Sequence, residues 1–248
     1  MYAVETKKLV KKYKTKTAVK GLDLAINEGE IYALLGVNGA GKTTTIRMLT
    51  CLSTPTSGEC FVCGKSCAAE ASEVKKIAGI SPQDTAVAEN LTVEENLRLM
   101  CGIFGYSKEK TAESIQSMTE LFSLGEYEKS RAKTLSGGWK RKLSIAMAMI
   151  GEPKVLFLDE PTLGLDVLAR RELWKVIEKL KSKITIILTT HYMEEAEQLS
   201  DRIGVMISGE LKAEGTLSEL EAKTGEQGLE NVFVKIAENA DKGGESND

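Results

Sequence analysis

The chain has 248 residues, 42% hydrophobic and 28% charged, a length that suits one large domain or two small ones. Lys and Arg total 33 against 36 Asp and Glu, and the resulting net charge of −3 argues against a general nucleic-acid binder, which carries a basic domain. A chain this long buries about 70–75% of its unfolded surface without disulfide or metal staples; its cysteines number five, an odd count, and no apolar run reaches the ~18 residues of a membrane span.

In chain order, Lys7, Lys8, Lys11, Lys12, Lys14, Lys16 and Lys20 read as a solvated basic face, with no apolar segment behind them to make a signal peptide. The run Ile31-Tyr32-Ala33-Leu34-Leu35, closed by Gly36, predicts a buried strand, and a helix is expected from about Gly41 through Leu49. Cys60-Phe61-Val62-Cys63 has the spacing of half a zinc site. Yet it ends a strand, where positions i and i+3 face opposite sides, so structural thiols are the better reading. Between about Val93 and Ile150 the strand signals vanish, and 94–103, 108–122 and 140–150 read as helices.

Buried strands return at 155–158, 184–189 and 203–207, with a helix at 193–199. Runs buried on both faces suit a mainly parallel sheet covered by helices. Beyond Lys223 the chain turns Gly-rich and acidic, and 239–248 is expected to be a frayed tail. The division expected is a domain at 1–224, with a helical subdomain at about 84–150, and an extension at 225–248.

Two segments carry the chemistry. Gly36-Val37-Asn38-Gly39-Ala40-Gly41-Lys42-Thr43 fits G-x-x-x-x-G-K-[ST] between a strand and a helix. Glycines let backbone N–H groups converge on phosphate oxygens, and the helix N-terminus adds positive potential. Lys42 is suited to the β- and γ-phosphates of a nucleotide, and Thr43 to Mg²⁺. Val155-Leu156-Phe157-Leu158 then delivers Asp159 and Glu160 at a strand's carboxyl end, where α/β sheets bind ligands. Asp159 is the candidate for holding Mg²⁺, and Glu160 for orienting or deprotonating the attacking water.

A third segment, Leu135-Ser136-Gly137-Gly138-Trp139-Lys140-Arg141-Lys142, opens a helix about two dozen residues before Asp159 and offers a second anion site. With it, the chain over residues 1 to about 220 resembles the nucleotide-binding subunit of the ATP-binding cassette (ABC) transporters. The phosphate loop is 36–43, Gln83 matches the Q-loop, 135–138 the signature, Gly164-Leu165-Asp166 the D-loop and His191 the switch histidine. The resemblance implies an α/β fold: a RecA-like P-loop NTPase core with an inserted helical signature subdomain and an N-terminal antiparallel β portion.

It implies ATP and Mg²⁺ as ligands, with Tyr13 stacking on adenine, Gly36 to Thr43 and the adjacent Thr44 on the phosphates, and Gln83 and His191 near the γ-phosphate. Gln83 joins Thr43 and Asp159 beside the metal. By the same resemblance two copies sandwich two ATP molecules, so that Ser136, Gly137, Gly138 and Asp166 complete the site of a second copy or a homologous subunit. The implied ATPase is peripheral, on the cytoplasmic face of the cell membrane, and serves a separate transmembrane permease with no nucleic acid involved. Gly36-Val37-Asn38, the run Trp139 to Lys142 and 228–233 look like the exporter branch with separate permeases, which includes drug efflux; residues 228–236 also fit a simple packing strand. Two positions depart from the pattern: Trp139 replaces the usual Gln or Met, and Val167 stands where Pro is common. An importer subunit, a soluble ABC-type ATPase outside transport and a P-loop kinase are the other readings, the last of which gives no reason for Ser136-Gly137-Gly138.

Overall fold

The structure, a computed structural model, describes residues 2–244, with side chains through Ala240. The chain opens with two long antiparallel strands, β1 (Tyr2–Tyr13) and β2 (Lys16–Asn27), and then enters the core through β3 (Ile31–Leu35) and α1 (Lys42–Leu49). β4 (Ser57–Val62) and the short β5 (Lys65–Ser66) return to the first pair, making a four-stranded sheet of order β2-β1-β4-β5. α2 (Ala71–Ile77) and β6 (Ala78–Ser81) lead into a helical insert of α3 (Val93–Ile103), α4 (Lys108–Leu121) and α5 (Gly137–Met149). The core resumes with β7 (Val155–Asp159), α6 (Val167–Leu180), β8 (Thr185–Thr190), α7 (Met193–Leu199), β9 (Arg202–Ile207) and β10 (Glu210–Gly215), followed by α8 (Leu217–Thr224) and α9 (Leu229–Gly244).

The second sheet has order β10-β9-β3-β8-β7-β6, parallel throughout except for the antiparallel β9–β10 edge. Its central strands alternate between two cores. Ile31, Ala33 and Leu35 of β3, with Leu156 and Leu158 of β7, join the core shared with the helical insert; Tyr32, Leu34, Val155 and Phe157 join the core under the antiparallel sheet and α1. A strand buried on both faces must be apolar at every position, which is why these runs are unbroken. Gly204 interrupts β9 for a steric reason: a Cβ there would lie 2.1 Å from the Tyr32 hydroxyl oxygen.

The insert is fixed by local signals as well as packing. Thr92 and Glu95 form a reciprocal capping box at the start of α3, and Ser107 caps α4 through the Lys110 N–H. The expectation for the C-terminus needs correction. Residues 228–236 form no strand, and 239–244 are no frayed tail, because the chain from Leu229 to Gly244 is α9. Leu229, Val232, Phe233 and Ile236 recur at helical spacing and bury that face in the main core. Residues 245–248 of the expected tail lie outside the described residues. All five cysteines are free: Cys60 and Cys67 are buried neighbours across β4 and β5, while Cys63 is half-buried. Among the described residues no helix is long and apolar enough to cross a membrane.

Candidate active site at the strand ends

β3 ends in the glycine loop, and the Gly36 N–H donates to the Thr190 carbonyl at the end of neighbouring β8 (3.2 Å). Gly41 needs its residue type twice over. Its φ is 107°, and a Cβ would lie 2.4 Å from the Ala18 carbonyl oxygen. α1 begins at Lys42 with no side chain capping its first turn, so its leading N–H groups stay available to an anion. Lys42 is almost fully buried and donates to the carbonyls of Gly36 (2.6 Å) and Val37 (3.3 Å).

β7 delivers the acids to the same place. Asp159 Oδ1 accepts from the hydroxyls of Thr43 (3.0 Å) and Thr189 (2.6 Å). Glu160 holds φ at 47°, an unfavourable region for a residue with a Cβ, and its N–H donates to the carbonyl (3.1 Å) and hydroxyl (3.0 Å) of Thr189. That backbone twist sends its side chain between Lys42 and His191. Oε1 is 3.4 Å from Lys42 Nζ, and Oε2 is 3.2 Å from His191 Nδ1, which is turned so that it makes no hydrogen bond. Buried charges without partners are costly, so Lys42 and Glu160 compensate one another here.

Tyr13, Asn38, Gly39, Ala40, Gly41, Lys42, Thr43, Thr44, Gln83 and Glu160 line one cavity of about 410 Å³. Gly36, Val37, Asp159 and His191 touch its lining residues from below and beside it. Lys16 and Ala18 also line the cavity, and sequence reasoning missed both. Nothing in the sequence separates Lys16 from the other lysines of the basic face; only the β1–β2 register brings it over the loop. Hydroxyl and carboxylate oxygens at Thr43 and Asp159 suit a hard divalent cation, and glycine positions with free helix N–H groups suit a polyphosphate.

Ser136, Gly137, Gly138 and Asp166 do not line this cavity. Ser136 occupies the N-cap position of α5, but its hydroxyl makes no capping bond. Gly138 lets α5 approach α6 closely, since a Cβ there would meet the Ala169 Cβ at 3.1 Å. Asp166 caps α6 by accepting from the N–H groups of Leu168 and Ala169, both at 2.9 Å. Trp139 turns back onto its own subdomain: its ring packs on Tyr127 (4.5 Å between centroids) and carries the Lys142 ammonium over its face at 4.2 Å. Arg141 is buried and donates to the carbonyls of Pro82 and Gln83, both at 2.6 Å. Burial pushes its guanidinium below its ordinary range, while the carboxylates of Asp159, Glu195, Asp84 and Glu160 push it back up.

A strand, a phosphate-type loop and a helix, an acid pair on a parallel strand and a helical insert between them define a P-loop ATPase of the ATP-binding cassette type. Comparison with known proteins agrees. Residues 19–163 match the model of the family described as "ABC transporter". Over 224 residues the chain is 42% identical to the daunorubicin/doxorubicin resistance ATP-binding protein DrrA of Streptomyces peucetius, covering 90% of this chain and 68% of that one. It is 44% identical over 222 residues to the human phospholipid-transporting ATPase ABCA3, covering 90% of this chain and 13% of the relative. The fold superposes with a TM-score of 0.78, at 28% identity, on a dimeric post-hydrolysis state of the ATP-binding cassette MJ0796 bound to ADP and Pi, covering 86% of this chain and 98% of that one. The chain belongs to the ABC transporter family.

Proposed function

We propose that this chain binds and hydrolyses ATP with Mg²⁺ as one half of a head-to-tail dimer, and that it powers export through a separate transmembrane permease at the cytoplasmic face of the membrane. The observation that carries the reading is a division within one chain: the phosphate loop, acids and Gln83 share a cavity, while Ser136, Gly137 and Gly138 stand outside it with unused polar groups. A second copy turned end to end gives the signature an anion to meet. Leu99 and Ile103, exposed one turn apart on α3, and Val167 and Leu168 beside Asp166 supply apolar surface for partners. The likeness to DrrA, a drug-resistance ATP-binding protein, supports efflux as the direction.

On this reading Tyr13 stacks on the base, and the loop N–H groups with Lys42 hold the phosphates. Thr43 and Asp159, with Gln83, would hold Mg²⁺, which would supply neutralisation of charge on the phosphate oxygens. Phosphate oxygens give the Lys42 ammonium anionic partners other than Glu160, which frees that carboxylate for the attacking water. Glu160 orients the water and accepts its proton, and His191, whose Nδ1 lies 3.2 Å from that carboxylate, senses the γ-phosphate. Gln83 lines the same cavity and its carbonyl is held by Arg141 of α5, which supports a role as sensor of the γ-phosphate and of the partner.

Purification of the tagged chain from membranes of its source tests the transport half. A multi-span protein should co-purify, and vesicles containing both should move cargo out of the ATP-bearing compartment only with ATP. Stoichiometric recovery of soluble partners alone, or ATP-driven movement in the opposite direction, would overturn export by a permease.

A further inference from the structure

The run Trp139 to Lys142 is more than a family marker, because each of its cations grips a different element. Lys140 bonds Glu89 beyond the Q-loop (2.8 Å), Arg141 bonds the Q-loop itself, and Lys142 bonds Glu172 on α6 (2.9 Å). Arg141 differs from the other two: the residue is only 4% exposed and reaches two consecutive main-chain carbonyls, whereas Glu89 and Glu172 are exposed carboxylates. One turn along α5, the Ser144 hydroxyl lies 2.8 Å from that of Ser81, the last residue of β6. The planar fork of a guanidinium fixes direction as well as distance, which a single ammonium cannot do. The segment held this way carries Gln83 into the cavity, and the helix that holds it begins, less than two turns earlier, at Ser136.

We propose that Arg141 is a positioning residue that couples the two ATP sites: it fixes Gln83, which serves its own chain's nucleotide, to the helix that aims Ser136 at the nucleotide of the second copy. The inference rests on the sandwich reading above. A displacement of Gln83 is carried to Ser136 through one rigid connection, so the sites report on one another without direct contact.

Mixed dimers test it. Pairing Lys42→Ala with Ser136→Arg chains is the control, since it leaves one site with an intact loop and an intact signature. Arg141→Gln chains are then paired with each. With Lys42→Ala, the surviving site depends on Gln83 of the Arg141→Gln chain; with Ser136→Arg, it depends on that chain's Ser136. Both mixtures should turn over at least about tenfold more slowly than the control, in kcat and with KM for ATP little changed, as small misplacements of positioned groups do. Arg141→Lys, which retains charge without the fork, should fall between. Hydrogen exchange should quicken at 82–92 and stay unchanged in α1. Control-level turnover in either Arg141→Gln mixture, beside an active control, overturns the coupling alone. A silent control overturns the sandwich and the coupling with it. Faster exchange throughout the chain makes Arg141 a general support of the fold and overturns the proposal as well.

Discussion

Around the phosphate loop, polar contacts run within the loop or across the ends of neighbouring strands: Lys42 to Gly36 and Val37, Thr43 and Thr189 to Asp159. Around the signature, each cation instead leaves its helix for a separate element, reaching Glu89, Pro82 and Gln83, and Glu172. The first region is closed on itself, with Lys42 and Glu160 both nearly inaccessible. The second exposes unused donors at its helix start and apolar side chains on α3 and α6. A closed cluster can be complete in one chain, whereas an open one has its use in what it meets. On the proposed reading, chemistry and communication fall to different halves.

If that division holds, damage to the closed cluster should abolish chemistry while leaving the open half able to associate. Glu160→Gln should slow hydrolysis by about 10²–10⁴, the range for loss of a general base, with ATP binding retained. Its ATP-bound form should accumulate as a dimer in light scattering, since release depends on hydrolysis. Wild-type turnover, or a monomer at saturating ATP, would break the comparison at its strongest point. Lys42→Ala should cost about 10²–10³ in turnover, the order for one lost electrostatic donor, together with weaker ATP binding by titration calorimetry. The fold should survive at a lower melting temperature, because the substitution leaves the buried Glu160 carboxylate without its cation, and a far-ultraviolet spectrum like the wild type's followed through a thermal melt checks both.

The same contrast explains what could be read in advance. The glycine loop, Asp159 and Glu160 were legible because a strand end and a helix start place them, and both are local patterns. Helices in the insert were legible from period and caps. Lys16 and Ala18 were not, since only strand pairing swings them over the loop. Nor were the partners of Lys140, Arg141 and Lys142, which lie 30 to 59 residues away along the chain. At the C-terminus the composition of glycine and acids outweighed the spacing of Leu229, Val232, Phe233 and Ile236, and the spacing decided the outcome.

Trp139 sharpens the comparison from the open side. Its ring is occupied by Tyr127 and Lys142 within its own chain, so its departure from the family pattern is a matter of packing more than of partner contact. Trp139→Gln should therefore cost about 1–2 kcal/mol of stability, from one aromatic pair and one cation–π contact. For a chain of this length that is about 2–8 °C in Tm. Turnover per folded chain should change less than twofold. A large loss of kcat with unchanged Tm would move Trp139 from packing to the composite site.

The smallest effect is expected where the two halves adjoin. Glu195 on α7 is buried and accepts from the Trp174 indole of α6 (3.1 Å). Burial raises its carboxyl above the ordinary range, against the pull of the nearby Thr190 and Thr162 hydroxyls, the Trp174 hydrogen bond and the Arg170 charge. The sign of the pH dependence follows. Below about pH 4.3 the carboxyl is protonated in folded and unfolded chains alike, so it favours neither. As pH rises the unfolded chain ionises first, holds fewer protons than the folded one and gains relative to it, until the folded carboxyl ionises as well. Glu195→Gln retains an oxygen for Trp174 and removes that titration. Its Tm should equal or exceed the wild type's by up to about 4 °C at pH 8, and the gap should narrow toward pH 5. A gap that widens toward acid would mean that the ionised carboxylate stabilises the junction, and that the charge at the boundary belongs to the closed cluster's compensation instead of standing outside it.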